Sequence, residues 1–421
     1  MTAPVAEIVT LGCRLNTLES EVMRDELAKA GIEDAIIINT CAVTAEAERQ
    51  ARQTIRRLHR ERPTARIIVT GCAAQLAPAP FADMKEVDRV VGNQDKLNIK
   101  TLIGQAGDGA IHVTDISEVR ETAGHLVHGI EGRTRAFVMV QQGCDNDCTF
   151  CIIPAARGPN RAVALDQIIT QVQKLVATGH QEVVLTGVDI AAYGQDLGLC
   201  DENGTALTHV IRTLLDQVPD LKRLRLSSLD PARLNDGFFE LLANEPRLMG
   251  HLHLSLQAAD DMILTRMKRR HRVADIAHLI ERAKVARPGL VFGADLIAGF
   301  PTETDEMFQA TYTNLKDWGF QYLHVFPYSQ RPGTPAERMP QVSGDIAKAR
   351  AKALRDLGVA ALEQHFGALI GTVQAVLVET SGFGRTESFA PVRFRAEVPS
   401  GTIVDVRMTG HKNGELAGEI V

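Results

Sequence analysis

The stretch "QQGCDNDCTFCIIPAARG", residues 141–158, puts three cysteines into eight positions as C-x3-C-x2-C: Cys144, Cys148 and Cys151. The preceding "RAFVMV" reads as an apolar strand, so the thiols sit in the loop that leaves it. Three closely spaced thiolates favour a soft metal centre, either zinc or an iron–sulfur cluster. A structural zinc site takes four ligands, and a [4Fe–4S] cluster normally takes four cysteines. Three ligands leave one iron open to a substrate or cofactor. The competing reading is a closed zinc site completed by a distant histidine or by Cys200.

Downstream of this loop, apolar strands alternate with helices. Strands are expected at 182–187, 222–227, 251–256, 290–297 and 321–326, with helices such as "LDQIITQVQKLVATG" between them. Together with "RAFVMVQQG" this makes six strand–helix units, a closed or partly closed α/β barrel whose active face lies at the C-terminal ends of its strands. A helix over roughly 344–366 follows. The last fifty or so residues then change period: "GTVQAVLVE", "APVRFRAEV" and "GTIVDVRMTG" alternate apolar and polar between Gly-containing turns, as in a small all-β barrel.

Upstream, "AEIVTLG", "DAIIINT" and "ARIIVTG" read as strands, with amphipathic helices between them over "TLESEVMRDELAKAG" and "AEAERQARQTIRRLHRER". Strands apolar throughout argue for a parallel sheet covered on both faces. Cys13, Cys41 and Cys72 each follow one of these strands directly, 28 and 31 residues apart. Each separation matches one strand–helix unit, so the three thiols converge at the edge where the loops of a parallel sheet build ligand sites. Taken singly, each is also compatible with a buried small hydrophobe. Residues 101–132 read as a loop-rich connection.

The chain has 421 residues, 45% of them hydrophobic, enough for two or three domains. No run of about 18 apolar residues suggests a membrane span, and the N-terminus has no secretory pattern, so a cytoplasmic location is expected. Seven cysteines, an odd number, favour metal or catalytic roles over disulfides. A net charge of −6 and 5% aromatic residues give no global signal for nucleic-acid binding. That signal rests on local clusters. The denser is "RMKRRHR", with Arg266, Lys268, Arg269 and Arg270; the other is a helix face carrying Arg49, Arg52, Arg56 and Arg60, diluted by glutamates. Both are also compatible with solvated faces.

C-x3-C-x2-C after the first strand of an α/β barrel resembles the radical S-adenosylmethionine (SAM) superfamily. The resemblance implies that Cys144, Cys148 and Cys151 hold a [4Fe–4S] cluster whose open iron binds SAM, and that reductive cleavage of SAM gives a 5′-deoxyadenosyl radical. Phe150 stands where such families commonly carry an aromatic residue. "LGCRLNTLESE", "INTCAVTAEAE" and "VTGCAAQ" resemble the N-terminal cluster domain of the methylthiotransferases. This implies a second, auxiliary [4Fe–4S] cluster on Cys13, Cys41 and Cys72 that carries the sulfur to be delivered. "HLHLSLQ", "ADLIAGFPTET" and "HVFPYSQRPGTPAERMP" are most similar to the branch acting on threonylcarbamoyladenosine in tRNA, and the C-terminal β module resembles that family's RNA-binding TRAM domain.

The domains implied are a cluster domain over 1–105, a radical SAM core with a partial (β/α)6 barrel over 130–365, and a TRAM-like barrel over 366–421. Gly187 and Asp189 fall where the superfamily contacts the SAM amino group, although Gly-Val-Asp replaces the usual Gly-Gly-Glu. Ser228 and Gln257 fall at the same strand edge, whereas Asp295 lies inside "ADLIAGFP", where a buried acid needs a partner and either orients a substrate or simply satisfies a neighbour. The family's Gln-Ser-Gly-Ser reads Gln-Ala-Ala-Asp from Gln257, so only Gln257 remains a candidate there. The alternatives for Asp189 and Ser228 are a solvated strand-end carboxylate and a helix cap.

The implied reaction is methylthiolation at C2 of the modified adenosine at position 37. The implied partners are a tRNA anticodon stem-loop and an electron donor such as flavodoxin or ferredoxin, with no membrane. Isopentenyladenosine or a ribosomal-protein aspartate is the nearest alternative substrate. A zinc-stabilised RNA-binding protein is the alternative from another class. Cys200 matches no motif.

Overall fold

The computed structural model describes residues 6–104, 108–120, 134–199 and 205–421. Cys200 and much of the 101–132 connection lie outside the described residues. The chain divides into two compact units. One comprises residues 1–127, 139–164 and 329–337; the other comprises 128–138, 165–328 and 338–421.

The first unit is built on a parallel sheet of order β1-β2-β3-β4-β5: β1 (Glu7–Thr10), β2 (Ala35–Thr40), β3 (Arg66–Gly71), β4 (Arg89–Val91) and β5 (Ile111–His112). Every residue of β2 is buried, as its unbroken apolar run requires. Its side chains divide by parity. Ile36 and Ile38 join Ile67, Val69, Ile55 and Leu58 in one core, whereas Ile37 joins Ile68, Met23 and Leu27 in another. Helix α1 (Arg14–Lys29) supplies Met23 and Leu27 to the second core, and α2 (Ala45–Glu61) supplies Ile55 and Leu58 to the first. Thr44 caps α2 by accepting from the Ala47 amide, with Glu46 and Glu48 in the first turn and Arg60 in the last, the order that suits a helix dipole. Three short helices follow: α3 (Cys72–Leu76), α4 (Ala79–Ala82) and α5 (Ile99–Ile103). After β6 (Arg135–Met139), the unit adds the two-stranded ribbon β7 (Gln141–Gln142) and β8 (Arg161–Ala162), which brackets helix α6 (Ile153–Arg157).

The second unit alternates strand and helix. Its elements are β6, α7 (Leu165–Ala177), β9 (Glu182–Thr186), α8 (Leu207–Gln217), β10 (Arg223–Leu226), α9 (Asp236–Asn244), β11 (His251–Gln257), α10 (Asp261–Arg266), α11 (Val273–Ala286), β12 (Val291–Ala298), α12 (Asp305–Trp318) and β13 (Tyr322–Pro327). The strands form two parallel ladders, β6-β9-β10 and β11-β12-β13. Between the ladders, Leu229 forms an isolated parallel bridge to Leu254. Six strands in that order make an open, partial (β/α)6 barrel.

Helix α13 (Gly344–Leu369) leads into a closed five-stranded barrel of order β14-β15-β16-β18-β17: β14 (Val373–Thr380), β15 (Phe383–Thr386), β16 (Pro391–Phe394), β17 (Ile403–Lys412) and β18 (Glu415–Ile420). Val376, Val378, Val392, Val406, Met408 and Leu416 fill its interior together with Phe366 from α13.

This module is fastened to residues that open barrel strands, Arg135 in β6, Arg223 in β10 and His251 in β11, and to Arg225 two positions along β10. Arg223 donates to the carbonyl oxygens of Ala375 (2.9 Å) and Arg385 (3.3 Å), and Arg225 donates to that of Glu387 (3.0 Å). Arg135 pairs with Glu379 at 2.8 Å. The Phe389 ring lies 4.5 to 5.0 Å from the guanidinium carbons of Arg385, Arg135 and Arg225 and stacks on His251. The opposite, C-terminal strand ends are the face expected to carry chemistry.

Candidate active site

All six motif cysteines fall in the first unit. Cys13 precedes α1, Cys41 follows β2 and Cys72 opens α3 directly after β3. Because β1, β2 and β3 run parallel in register, their C-terminal ends share one edge. Cys41 and Cys72 are buried and Cys13 is exposed. Burial, with the Cys72 and Cys13 thiols adding to it, pushes the Cys41 thiol up to about 11. Gly12 adopts φ +102°, and a Cβ there would stand 2.6 Å from Cys41 Cβ and 2.8 Å from its Sγ, so the turn holding Cys13 approaches Cys41 only because this residue is glycine. Asn16 braces the same turn by donating to the carbonyls of Leu11 (2.7 Å) and Thr40 (3.0 Å).

The second triad lies on the loop between β7 and α6. The Cys151 amide donates to the Cys148 carbonyl at 3.1 Å, and the Asn146 amide donates to Cys144 Sγ at 3.4 Å. Gln141 holds the loop's start by donating to the Gly143 carbonyl (2.7 Å) and to Asn160 Oδ1 (2.6 Å). Its middle is held by the Ala336 amide, which donates to the Thr149 carbonyl at 2.9 Å. Phe150 is half-buried within this loop.

Arg157, the last residue of α6, ties the two triads together. Its guanidinium is buried and donates to Glu19 (2.8 and 3.0 Å), Gln142 Oε1 (3.0 Å) and Asn16 Oδ1 (2.6 Å). Lys96, fully buried, pairs with the same Glu19 carboxylate. Burial opposes charge on both members of each pair. Even so, Arg157 and Lys96 hold the Glu19 carboxyl down at about 2. The Cys72 thiol and Glu19 in turn keep Arg157 charged despite burial. Asn93 makes a second link, donating to the Ala156 carbonyl at 2.7 Å with its Nδ2 at 3.7 Å from Cys72 Sγ. Ala156 and Ile152 pack in the same apolar core as Cys72. These linking residues were not singled out by sequence reasoning; the one available signal was the arginine inside the quoted cysteine stretch.

Among candidates in the second unit, Ser228 and Asp295 meet: the Ser228 hydroxyl donates to Asp295 Oδ2 at 3.2 Å. Two unforeseen histidines join them. His253 Nε2 lies 3.0 Å and His324 Nδ1 lies 3.5 Å from Asp295 Oδ1. Burial would raise the Asp295 carboxyl, but these imidazoles hold it well below the usual range. The alternation in "HLHLSL" was the available signal for His253.

Gln257 ends β11 with φ +70°, a strained conformation for a non-glycine residue, after a register shift in the ladder. Asp189 is buried after β9, with its carbonyl accepting from the Ala192 amide, and Gly187 is half-buried beside it. Arg225 pairs with buried Glu182 at 2.8 Å.

The basic cluster divides. Lys268 and Arg270 are exposed, although Arg270 also pairs with Asp230 at 2.8 Å. Arg269 turns inward to the Ser255 carbonyl (2.6 Å), and Arg266 donates to that of Thr302 (3.0 Å).

The two thiol triads fit the clusters that the sequence motifs imply. Each supplies three soft donors from loops on a rigid scaffold. Hydrogen-bond donors face Cys72 and Cys144, and a buried guanidinium stands ready to offset thiolate charge.

Residues 138–315 match the model of the radical SAM superfamily, and residues 6–92 match that of an uncharacterized protein family, UPF0004. The chain is 48% identical to threonylcarbamoyladenosine tRNA methylthiotransferase MtaB of Rickettsia prowazekii (strain Madrid E), over 97% of this chain and 96% of that protein. It is 38% identical to the protein of the same name from Bacillus subtilis (strain 168), over 81% and 77% respectively. In fold it resembles the radical SAM methyltransferase TsrM of Kitasatospora setae, with a TM-score of 0.55 and 15% identity over 80% of this chain and 77% of that one. Among the described residues, no helix is long and apolar enough to cross a membrane. The ordered cysteine motifs, the open α/β barrel and this near full-length similarity establish that the chain belongs to the radical SAM methylthiotransferase family.

Proposed function

We propose that this protein converts N6-threonylcarbamoyladenosine at position 37 of tRNA to its 2-methylthio derivative. The observation that carries the reading is that both cysteine triads lie in one compact unit, linked through α6 by Arg157 and Asn93. Sulfur delivery to a base carbon needs the sulfur source and the radical source held close together, so that proximity replaces a bimolecular encounter. The C2–H bond of adenine has no useful acidity, and general-base catalysis cannot open it. When bound to Cys144, Cys148 and Cys151, the cluster supplies the electron that cleaves SAM to a radical able to take that hydrogen.

The chain's own residues do the rest. Cys13, Cys41 and Cys72 hold the auxiliary cluster, and the Cys41 proton, retained up to about 11 before assembly, must leave as the cluster binds. Arg157 offsets the negative charge gathered there. Phe150 in the first unit, and Gly187, Asp189, Ser228, Gln257 and Asp295 in the second, are the residues that contact SAM or substrate. Lys268 and Arg270 meet tRNA phosphates, while Arg266 and Arg269 hold their loop in shape. The functional divisions are 1–105, 130–365 and 366–421, with the last acting as a TRAM-like RNA-binding module. The modified base must leave its stack to reach the site. A flavodoxin or ferredoxin supplies electrons in the cytoplasm.

The test is mass spectrometry of nucleosides from tRNA incubated anaerobically with reconstituted protein, SAM and reductant. A gain of one methylthio group on threonylcarbamoyladenosine is expected. Methylthiolation of isopentenyladenosine instead, or an unchanged threonylcarbamoyladenosine pool, would overturn the substrate assignment.

A further inference from the structure

Three neighbouring strands of the second unit each present one potential metal ligand to the same spot. His253 comes from β11, Asp295 from β12 and His324 from β13, with Asp295 directly opposite His324 in the β12–β13 register. Their ligand atoms all lie within 4.8 Å of one another. The two nitrogen–oxygen separations are 3.0 and 3.5 Å. A first-row cation with bonds of about 2.1 Å sets adjacent ligands roughly 3.0 Å apart in octahedral geometry and roughly 3.4 Å apart in tetrahedral geometry.

The supporting residues match this arrangement. Ser228 donates to Asp295 Oδ2, so Oδ1 is the oxygen turned to the two imidazoles, as an outer-shell partner orients a ligating carboxylate. Gly293 lies opposite His253 in the β11–β12 register, and a Cβ there would stand 2.5 Å from His253 Nδ1. The missing side chain therefore makes room for the imidazole. His253 is buried, with 9% of its side chain exposed, whereas 54% of His324 is open. The group is thus anchored on one side and accessible on the other.

We propose that His253, Asp295 and His324 form a binding site for a first-row divalent cation, made of residues that belong to neither thiol triad and open on one side to an oxygen ligand. Two imidazoles and one carboxylate with vacant positions suit Fe²⁺, Mn²⁺ or Zn²⁺, and unlike the cysteines they are hard enough to leave an iron–sulfur cluster alone. Ser228 and Asp295 then serve the cation first, and the vacant positions take water or a carboxylate. The proposal does not depend on the tRNA substrate named above.

The test uses the full-length protein with its clusters assembled anaerobically. Mn²⁺ is titrated in, and the six-line electron paramagnetic resonance signal of the free aqua ion reports what remains unbound. One saturable Mn²⁺ per chain is expected, displaced by equimolar Zn²⁺ because zinc stands higher in the affinity order. His324→Ala, at a half-exposed position that leaves the core intact, and Asp295→Asn should each weaken binding at least tenfold, with iron content unchanged. No saturable Mn²⁺, or binding unaltered by both substitutions, would overturn the site and leave the three residues as a hydrogen-bonded cluster only.

Discussion

Each unit buries a carboxylate among several cations, Glu19 in the first and Glu182 in the second, but these two clusters use their surplus charge differently. In the first unit, Glu19 faces Arg157 and Lys96, and the extra positive charge lies beside Cys72 and Cys13. In the second, Glu182 faces Arg225 and Arg223, with Arg135 close by. There the surplus falls on carbonyl oxygens of the β module and on the face of Phe389. Buried ion pairs are weak evidence for stability, because desolvation offsets most of the attraction. Where the unmatched charge points is therefore more informative. In the first unit it points at the ligands of a proposed cluster; in the second it fastens one module to another.

The largest effect separating the two clusters is expected from Arg157→Leu. It strands a buried carboxylate and lysine, at a cost of about 3–5 kcal/mol, read as a lower denaturant midpoint of the anaerobic protein. It also removes a positive charge beside the proposed auxiliary cluster, whose reduction potential should fall by roughly 59 mV for each tenfold change in its one-electron equilibrium. An unchanged potential would mean that the cluster does not sit beside Arg157.

Next comes a pH dependence. The Glu19 carboxyl is held at about 2 against an ordinary 4.5. A depressed carboxyl stabilises the fold above its unfolded value and loses that contribution as pH falls through its folded value. Glu19 should therefore contribute about 3 kcal/mol at neutral pH, declining between pH 4.5 and 2. The stability difference between wild type and Glu19→Gln, followed across that range, should shrink in step. A constant difference would contradict the pairing.

Phe389→Ala removes three cation–aromatic contacts at the base of the barrel and should cost about 2 kcal/mol. Its cluster absorption should stay unchanged, because this region only joins modules. Loss of iron in this variant would erase the distinction between the two regions. The smallest effect is expected from Arg49→Ala: Arg49 pairs with Glu46 on the open surface of α2, so thermal unfolding should not shift measurably.

Much of this was legible in the sequence wherever a pattern repeats over enough residues. The fully apolar run of β2 and the 28- and 31-residue cysteine spacings place one triad at a sheet edge. Six barrel strands followed from the same alternation. Strands β4 and β5, of three and two residues, are too short to carry a period. β15 and β18 were missed as well; each carries a glycine that weakens the alternation.

The links at the site were hidden for a different reason. Arg157 and Glu19 lie 138 positions apart, and no local rule pairs them. His253, Asp295 and His324 share a face only through the register of three strands, in which His253 lies opposite Gly293 and Asp295 opposite His324. Periodicity indicates which way a side chain faces, but not which neighbour it meets.

The central claim is that both triads hold clusters, and iron and sulfide analysis of the anaerobically reconstituted protein tests it most directly. The wild type should bind about eight irons, and Cys41→Ala and Cys148→Ala should each retain about four. Only Cys41→Ala should still cleave SAM to 5′-deoxyadenosine. A wild type holding about four irons that Cys41→Ala does not reduce, or a colourless zinc protein, would contradict it.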